Sequence, residues 1–143
     1  TPPLLCTRTH AHTRTHADTY AADESFMVGS AMLVQPVSSA GAASADVLLP
    51  KAARWYNALT GAEMPAQRSA VHKVPVTLES IPVFYRGGNI VPRRERPRRS
   101  TAAQAKDPFT LVVALDGDKA ASGSLYLDDG ASFAFQRGAY IHR

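Results

Sequence analysis

The stretch of residues 80–96 constrains the fold of this chain more than any other part of the sequence. Two sets of residues alternate in its first half: Ile81, Val83 and Tyr85 in one set, and Pro82, Phe84 and Arg86 in the other. This period of two is typical of a strand that turns one face toward a core. Gly87 and Gly88 then permit a sharp turn, because glycine adopts backbone angles that a β-carbon forbids. A second short strand, Ile90-Val91, ends at Pro92, so the stretch predicts a β-hairpin or a tight β-corner.

Short apolar or alternating segments recur roughly every ten residues along the rest of the chain, and this spacing is typical of an all-β sandwich. The predicted strands lie at residues 31–34, 46–50, 54–59, 74–78, 110–115, 124–127 and 139–141, with Phe133 and Phe135 on one face of a further strand. Asp116-Gly117 is a turn signal, so we expect residues 110–115 and 124–127 to pair across it. Residues 23–28 are expected to begin as a short helix, since acidic residues suit a first helical turn. Residues 100–105 read as a linker.

The composition restricts the class of protein. Hydrophobic residues make up 45% of the 143 residues, which is enough to bury a core. No apolar run approaches the roughly 20 residues that span a bilayer, and residues 1–6 lack the basic start and apolar run of a signal peptide. Cys6 is the only cysteine, so an intrachain disulfide and a cysteine-based metal site are excluded.

Residues 1–22 differ in composition from the rest, with Thr, His, Ala and Arg in near-repetition. His10, His12 and His16 are of a residue type that ligates transition metals, but their spacing fits no strong template and no carboxylate cluster completes a site. We therefore predict no metal site and no cofactor. The segment is expected to be a low-complexity tail, either disordered or the product of a mis-joined gene model.

The basic charge is confined to one place. Residues 93–99 contain five arginines and one glutamate, which account for the whole net charge of +4. Arginine runs bind phosphate backbones, but here no aromatic platform is interleaved and the rest of the chain is neutral. We therefore predict no nucleic-acid partner, and a solvated or inter-domain salt-bridging role for Arg93, Arg94, Arg96, Arg98 and Arg99.

Candidate catalytic and binding residues are few. The close carboxylate pairs, Asp116 with Asp118 and Asp128 with Asp129, lie in turn sequences, where aspartate bonds to the local backbone, so neither is predicted to be catalytic. Trp55 is expected in the core, with sugar stacking on its indole as the alternative. His72 is expected to be solvated.

Several stretches of the chain, in order, resemble the region beyond the catalytic barrel in glycoside hydrolase family 31. They read ESFMVGSAMLVQPV (24–37), DVLLP (46–50), RWYNALTG (54–61), VPVTLESIPVF (74–84), IPVFYRGGNIVPRRERPRRS (81–100), DPFTLVVALDG (107–117) and LYLDDGASFAFQRGAYIHR (125–143). The resemblance covers residues 23–143. It implies that residues 23–103 form the end of the barrel and a proximal β-sandwich, and that residues 104–143 form a truncated distal β-domain.

The same resemblance implies a retaining α-glucosidase, whose two catalytic carboxyl groups lie about 5–5.5 Å apart. In the family these aspartates lie in a (β/α)8 barrel of about 250 residues, and no motif for either occurs in this chain. We therefore expect an all-β, structural C-terminal region that is inactive alone. The implied partners are the parent's barrel, a non-catalytic β-subunit and a glucosylated glycan, with N-glycan trimming in the endoplasmic-reticulum lumen. Two alternatives stay open: a stand-alone carbohydrate-binding β-module that uses Trp55 or Tyr140, and a nucleic-acid binder through residues 93–99.

Overall fold

The computed structural model describes residues 24–65 and 70–143, and nearly all of its regular structure is strand. The strands in this part of the chain are β1 (Phe26–Val28), β2 (Met32–Val34), β3 (Ser44–Leu48), β4 (Trp55–Asn57), β5 (Val71–Pro75), β6 (Val83–Arg86), β7 (Asn89–Arg93), β8 (Thr110–Ala114), β9 (Tyr126–Leu127) and β10 (Ile141–His142). The helical elements described are α1 (Thr101–Gln104) and a 3-10 helix (Ala134–Arg137). The all-β prediction is confirmed. No helix in the described residues is long and apolar enough to cross a membrane.

An antiparallel sheet in the order β1-β2-β6-β4 forms the centre of the fold. Residues that face each other across antiparallel strands share one side of the sheet. Met27, Leu33 and Phe84 are linked in this way, and they pack against the two-stranded β3–β5 ribbon. The ribbon contributes Val47 and Val74 to the same core. The two layers therefore form a small β-sandwich.

Strand β6 differs from its prediction, because it is buried on both faces. Phe84 is 0% exposed in the sandwich core, and its neighbour Tyr85, on the opposite face, is 5% exposed. The phenol of Tyr85 accepts a hydrogen bond from the Arg93 guanidinium at 3.2 Å. Ile81 lies outside the strand and is exposed. The expectation of one core face was wrong, since Phe84 and Tyr85 lie on opposite faces and both are buried, with Arg93 of β7 bonded to the Tyr85 phenol.

The turn at Gly87 and Gly88 forms a β-corner. Strand β6 pairs with β2 and β4, whereas β7 pairs with β8, so the two successive strands belong to different sheets. Gly88 has φ = 88°, and a β-carbon on Gly87 would lie 2.6 Å from the carbonyl oxygen of Leu115. Glycine is thus required here for both the turn and the close approach of the chain after β8.

Two strand predictions in the last third of the chain were wrong. Strand β8 pairs with β7 along its whole length, and β9 pairs with β10, so residues 110–115 and 124–127 do not pair with each other. Strand β9 pairs with β10, which follows it in the sequence, and not with β8 across the turn at Asp116-Gly117. Residues 134–137 form a 3-10 helix in place of the strand expected around Phe133 and Phe135. Asp129 and Ser132 accept hydrogen bonds from following backbone N–H groups, and these local bonds compete with strand pairing.

The other boundaries differ by smaller amounts. Residues 26–28 form β1, not part of the short helix expected to begin at residue 23, because they pair with β2. Strand β7 continues through Pro92, and residues 101–104 of the predicted linker form α1, whose first turn is capped by the Ser100 side chain. The predictions for the tail at residues 1–22, with its three histidines, lie outside the described residues. The proposed division near residue 103 remains a prediction, and the β7–β8 pair joins the two sides of it.

Candidate functional site

Three of the four carboxylates in the two close pairs bind the backbone of their own turns. The Asp116 carboxylate accepts hydrogen bonds from the N–H groups of residues 118 and 120, each at 2.9 Å. The Asp128 carboxylate accepts from the N–H of Gly130 at 2.9 Å, and Asp129 accepts from residues 131 and 132. The pKa of the Asp129 carboxyl is held below its usual range, chiefly by the hydrogen bond from the Ser132 side chain and then by those from the backbone N–H groups of residues 132 and 131. A general acid needs a raised pKa, so Asp129 is unsuited to that task.

A cleft of about 650 Å³ opens where the two layers of the sandwich meet the turn after β8. Its walls combine apolar and charged side chains, among them Arg54, Trp55, Glu63, His72, Arg86 and Asp116. We call it the Trp55 cleft. Its size falls in the range of about 300–1,000 Å³ that is usual for small-molecule sites.

Trp55 forms part of the floor of this cleft and of the hydrophobic core. Its side chain is buried with 6% exposure, and its indole N–H donates to the carbonyl oxygen of Pro50 at 3.0 Å. The expected core position is therefore confirmed. A direct sugar contact by Trp55 stays a prediction, and only 6% of the residue is exposed for it.

His72 is buried, so the expectation of a solvated histidine was wrong. It lies opposite Val47 in the β3–β5 register, and Val47 belongs to the core, so the imidazole lies between the two layers. Only 5% of His72 is exposed, and burial lowers its pKa. The imidazole is therefore neutral near pH 7, and its Nδ1 is buried with no hydrogen-bond partner among the described residues.

The arginine-rich segment folds around one carboxylate. Arg98 donates two hydrogen bonds to Asp107, at 2.9 and 2.8 Å, and Arg96 lies 3.9 Å from the same group. Arg94 donates to the carbonyl oxygens of residues 104 and 105 and lies over the ring of Phe109, 4.4 Å from its centroid. We call Arg94, Arg96, Arg98, Asp107 and Phe109 the arginine hub. Much of the positive charge of residues 93–99 thus contacts carboxylate, carbonyl and aromatic groups of the chain itself.

Electrostatics reinforce the hub. The pKa of the Asp107 carboxyl is held below its usual range, chiefly by its hydrogen bonds with Arg98. The pKa of Arg98 is raised in turn by the same contact. Both groups are therefore charged over the whole physiological pH range. A bidentate pair of this kind fixes orientation as well as distance, so the hub connects β7 to the segment that leads into β8.

Tyr140 was the second candidate for a sugar platform. Its ring stacks on Tyr126, with 5.4 Å between centroids, and both side chains are about half exposed. The Tyr126 hydroxyl donates to Asp128 at 3.4 Å. One face of Tyr140 is therefore occupied within the chain.

Most of the groups that form the Trp55 cleft and the arginine hub were not predicted from the sequence. Asp107 carried no signal, because an isolated aspartate before a proline resembles any turn residue. Arg54 and Glu63 form an ion pair at 3.6 Å beside the cleft, and their separation along the chain matches no short-range pattern. Trp55 lies opposite Arg86 in the β4–β6 register. A prediction that these two strands pair would have brought two residues of the cleft together.

Comparisons with known proteins agree with this all-β architecture. The sequence profile of the glycosyl hydrolase family 31 C-terminal domain matches residues 4–91. The chain is 47% identical over 125 residues to a probable glucan 1,3-alpha-glucosidase of Arabidopsis thaliana, covering 87% of this chain and 13% of the relative. It is 44% identical over 119 residues to neutral alpha-glucosidase AB of Homo sapiens, covering 82% and 12%.

Solved structures give the same result. A crystal structure of the glucosidase II alpha subunit in its alpha3-Glc2-bound form superposes with a TM-score of 0.80 and 40% identity, over 85% of this chain and 13% of that one. The chain resembles equally the catalytic subunit in the ER glucosidase II heterodimeric complex, with a TM-score of 0.79 and 39% identity over 85% of this chain and 13% of that one.

The fold is thus that of a β-sandwich found beyond the catalytic domain of certain glycosidases. The chain belongs to glycosyl hydrolase family 31, in the region of its C-terminal domain, and its relatives are α-glucosidases. It spans 12–13% of the length of the relatives named above. The family match begins at residue 4, so it extends into the segment that the composition set apart.

Proposed function

We propose that this chain is a structural β-domain that packs against and braces the catalytic barrel of a family 31 α-glucosidase, and that it does not hydrolyse glycosides by itself. The observation that carries the proposal is the hydrogen bonding of the close carboxylate pairs. Asp116, Asp128 and Asp129 are engaged with their own turns, where they stabilise local backbone. Retaining hydrolysis needs two carboxyl groups facing each other across a sugar.

Similar proteins suggest the parent activity. Relatives named neutral alpha-glucosidase AB and the likeness to glucosidase II support hydrolysis of terminal α-linked glucose, with trimming of N-linked glycans in the endoplasmic reticulum. The similar catalytic subunit in a complex with a regulatory subunit's binding domain supports a non-catalytic β-subunit as a partner of the parent. The glucosylated glycan is then the substrate of the parent's barrel.

Two assays test the proposal. The purified 143-residue chain should release no aryl group from an aryl α-glucoside; turnover that Asp128→Asn or Asp129→Asn abolishes would overturn the inactive role. In a complete α-glucosidase that carries this chain, Phe84→Ala should shorten the half-life of activity on heating and leave KM unchanged. The exposed Leu78→Ala is the matched control, and equal half-lives for the two variants would count against bracing.

A further inference from the structure

The arginines of residues 93–99 contain a spacing that occurs nowhere else in the sequence. Two arginines with two residues between them, Arg-X-X-Arg, lie at residues 93–96 and again at residues 96–99. The first copy is followed by Pro97, whose ring fixes the backbone and removes the N–H, whereas the second is followed by Ser100. Serine proteases can take arginine into a pocket that carries an aspartate and cut the bond on its carboxyl side. The bond before Ser100 is the one that this pattern marks.

The structure leaves this bond accessible. Residues 94–100 form neither strand nor helix, and Arg96, Arg98, Arg99 and Ser100 are exposed. Ser100 has φ = −154° and ψ = 160°, the extended conformation in which peptides are bound along a recognition groove. The helix α1 that follows has four residues, none of them buried, so little structure opposes local opening. Exposed irregular segments of this kind are preferred places for proteolytic cleavage.

Arg99 differs from the other four arginines of the segment. Each of those contacts a carboxylate, a carbonyl or an aromatic group of the chain. Arg99 forms no hydrogen bond, ion pair or ring contact within residues 24–65 and 70–143. The arginine directly before the marked bond is therefore the one whose guanidinium can enter another protein's pocket without first leaving a partner.

The arginine hub restrains the segment and joins the two sides of the bond. Arg98 donates two hydrogen bonds to the buried Asp107, so a protease that draws the segment into its cleft must first open this pair. Strand β7, before the bond, pairs with β8, after it. Arg94 lies over the ring of Phe109 across the same bond. These contacts slow the cut and hold the two pieces together once it is made.

We propose that the Arg99–Ser100 peptide bond is a site of limited proteolysis by an endoprotease that recognises Arg-X-X-Arg. The hydroxyl of a water molecule joins the carbonyl carbon of Arg99, the C–N bond breaks, and the remaining proton goes to the nitrogen of Ser100. The product is a two-piece domain of residues 1–99 and 100–143, joined by the β7–β8 pair and the arginine hub. This modification goes beyond the bracing role and does not depend on it.

A timed digestion tests the site. The 143-residue chain is incubated with a subtilisin-type endoprotease specific for Arg-X-X-Arg, and intact masses are recorded at intervals. The first products should be residues 1–99 and 100–143, and they should elute together in size-exclusion chromatography without denaturant. The proposal is overturned by a first cut at another bond or by separate elution of the pieces. It is equally overturned if the chain stays intact where a synthetic peptide of residues 93–103 is fully cleaved.

Four variants separate recognition from restraint. Arg99→Gln should abolish the cut, and Arg96→Gln should slow it about tenfold, because each removes a guanidinium from a protease pocket. Arg137→Gln, also exposed, is the matched control and should be cut as fast as the unaltered chain. Asp107→Asn should accelerate the cut about tenfold, because it removes the charge that holds Arg98. Cleavage of Arg99→Gln at the unaltered rate would refute the site, and an unchanged rate in Asp107→Asn would refute the restraint.

Discussion

The two faces of the central sheet are covered in different ways. On one face, Phe84 and Val47 are completely buried among aliphatic and aromatic neighbours from the β3–β5 ribbon. On the other face, the β7–β8 pair is held by directed polar contacts, such as the Tyr56 hydroxyl donating to the carbonyl oxygen of Leu115 at 2.8 Å. Tyr85 bonds with Arg93 on the same side, and the arginine hub lies just beyond it.

This difference separates two kinds of stabilisation. Burial of apolar area is non-directional and contributes in proportion to the area removed from water. A hydrogen bond contributes less, but it fixes one geometry. We therefore expect the first face to determine whether the sandwich forms and the second to determine where β7 and β8 lie.

The largest expected effect comes from the buried aromatic ring. Phe84→Ala should lower the free energy of unfolding by about 3–5 kcal/mol, because it removes apolar contacts and leaves a cavity. Urea denaturation followed by Trp55 fluorescence measures it. Leu78→Ala, fully exposed, should change the same free energy by less than about 0.5 kcal/mol. A loss for Phe84→Ala no larger than that of Leu78→Ala would mean that this face is not the dominant one.

A change at the hub should act locally. Asp107→Asn removes the charge that Arg98 and Arg96 share, so the β7–β8 pair should open more often while β2–β6 does not. Native-state hydrogen exchange reads both pairs at once, and faster exchange of β8 amides alone is the expected pattern. Equal acceleration in β6 would show that the two faces unfold as one unit. Asp46→Asn, on the exposed side of β3, is the control.

A single hydroxyl tests the second face more gently. Tyr56→Phe removes the hydrogen bond to Leu115 and keeps the ring, so we expect a loss of about 0.5–1.5 kcal/mol in the free energy of unfolding. The same exchange experiment should place the effect at the end of β8. If Tyr56→Phe proves as costly as Phe84→Ala, the contrast between the faces fails.

The smallest effect is in the pH dependence. Since the folded pKa of Asp107 is lowered, its contribution to stability is complete above the usual carboxyl pKa of about 4 and is lost as the pH falls through the folded value. The difference in melting temperature between the unaltered chain and Asp107→Asn should therefore be constant from pH 5 to pH 8 and shrink in more acidic buffers. A difference that grows on acidification would contradict the assigned sign.

The sequence predicted the first face well and the second poorly. Alternation and turn residues indicate that strands exist, and Trp55 was correctly expected in the core. Alternation and turn residues do not indicate which strands are neighbours. The β7–β8 pair was therefore not predicted, and neither was the burial of Tyr85. The Arg98–Asp107 contact had no local pattern, because it depends on the chain returning through α1. His72 was wrongly expected to be solvated for a different reason: β5 begins three residues earlier than predicted, which places His72 in the core layer.

The central strand also affects synthesis of the protein. β6 is the last strand of the four-stranded sheet to be translated, yet it lies between β2 and β4. Until Arg86 leaves the ribosome, the β1–β2 hairpin and β4 have no partner between them, and their edges present unpaired N–H and C=O groups. Folding of this region is thus a late event on the nascent chain, dependent on pairs distant in sequence. After residues 26–57 are synthesised and before β6 follows, these unpaired strand edges are accessible to a chaperone or to another copy of the chain.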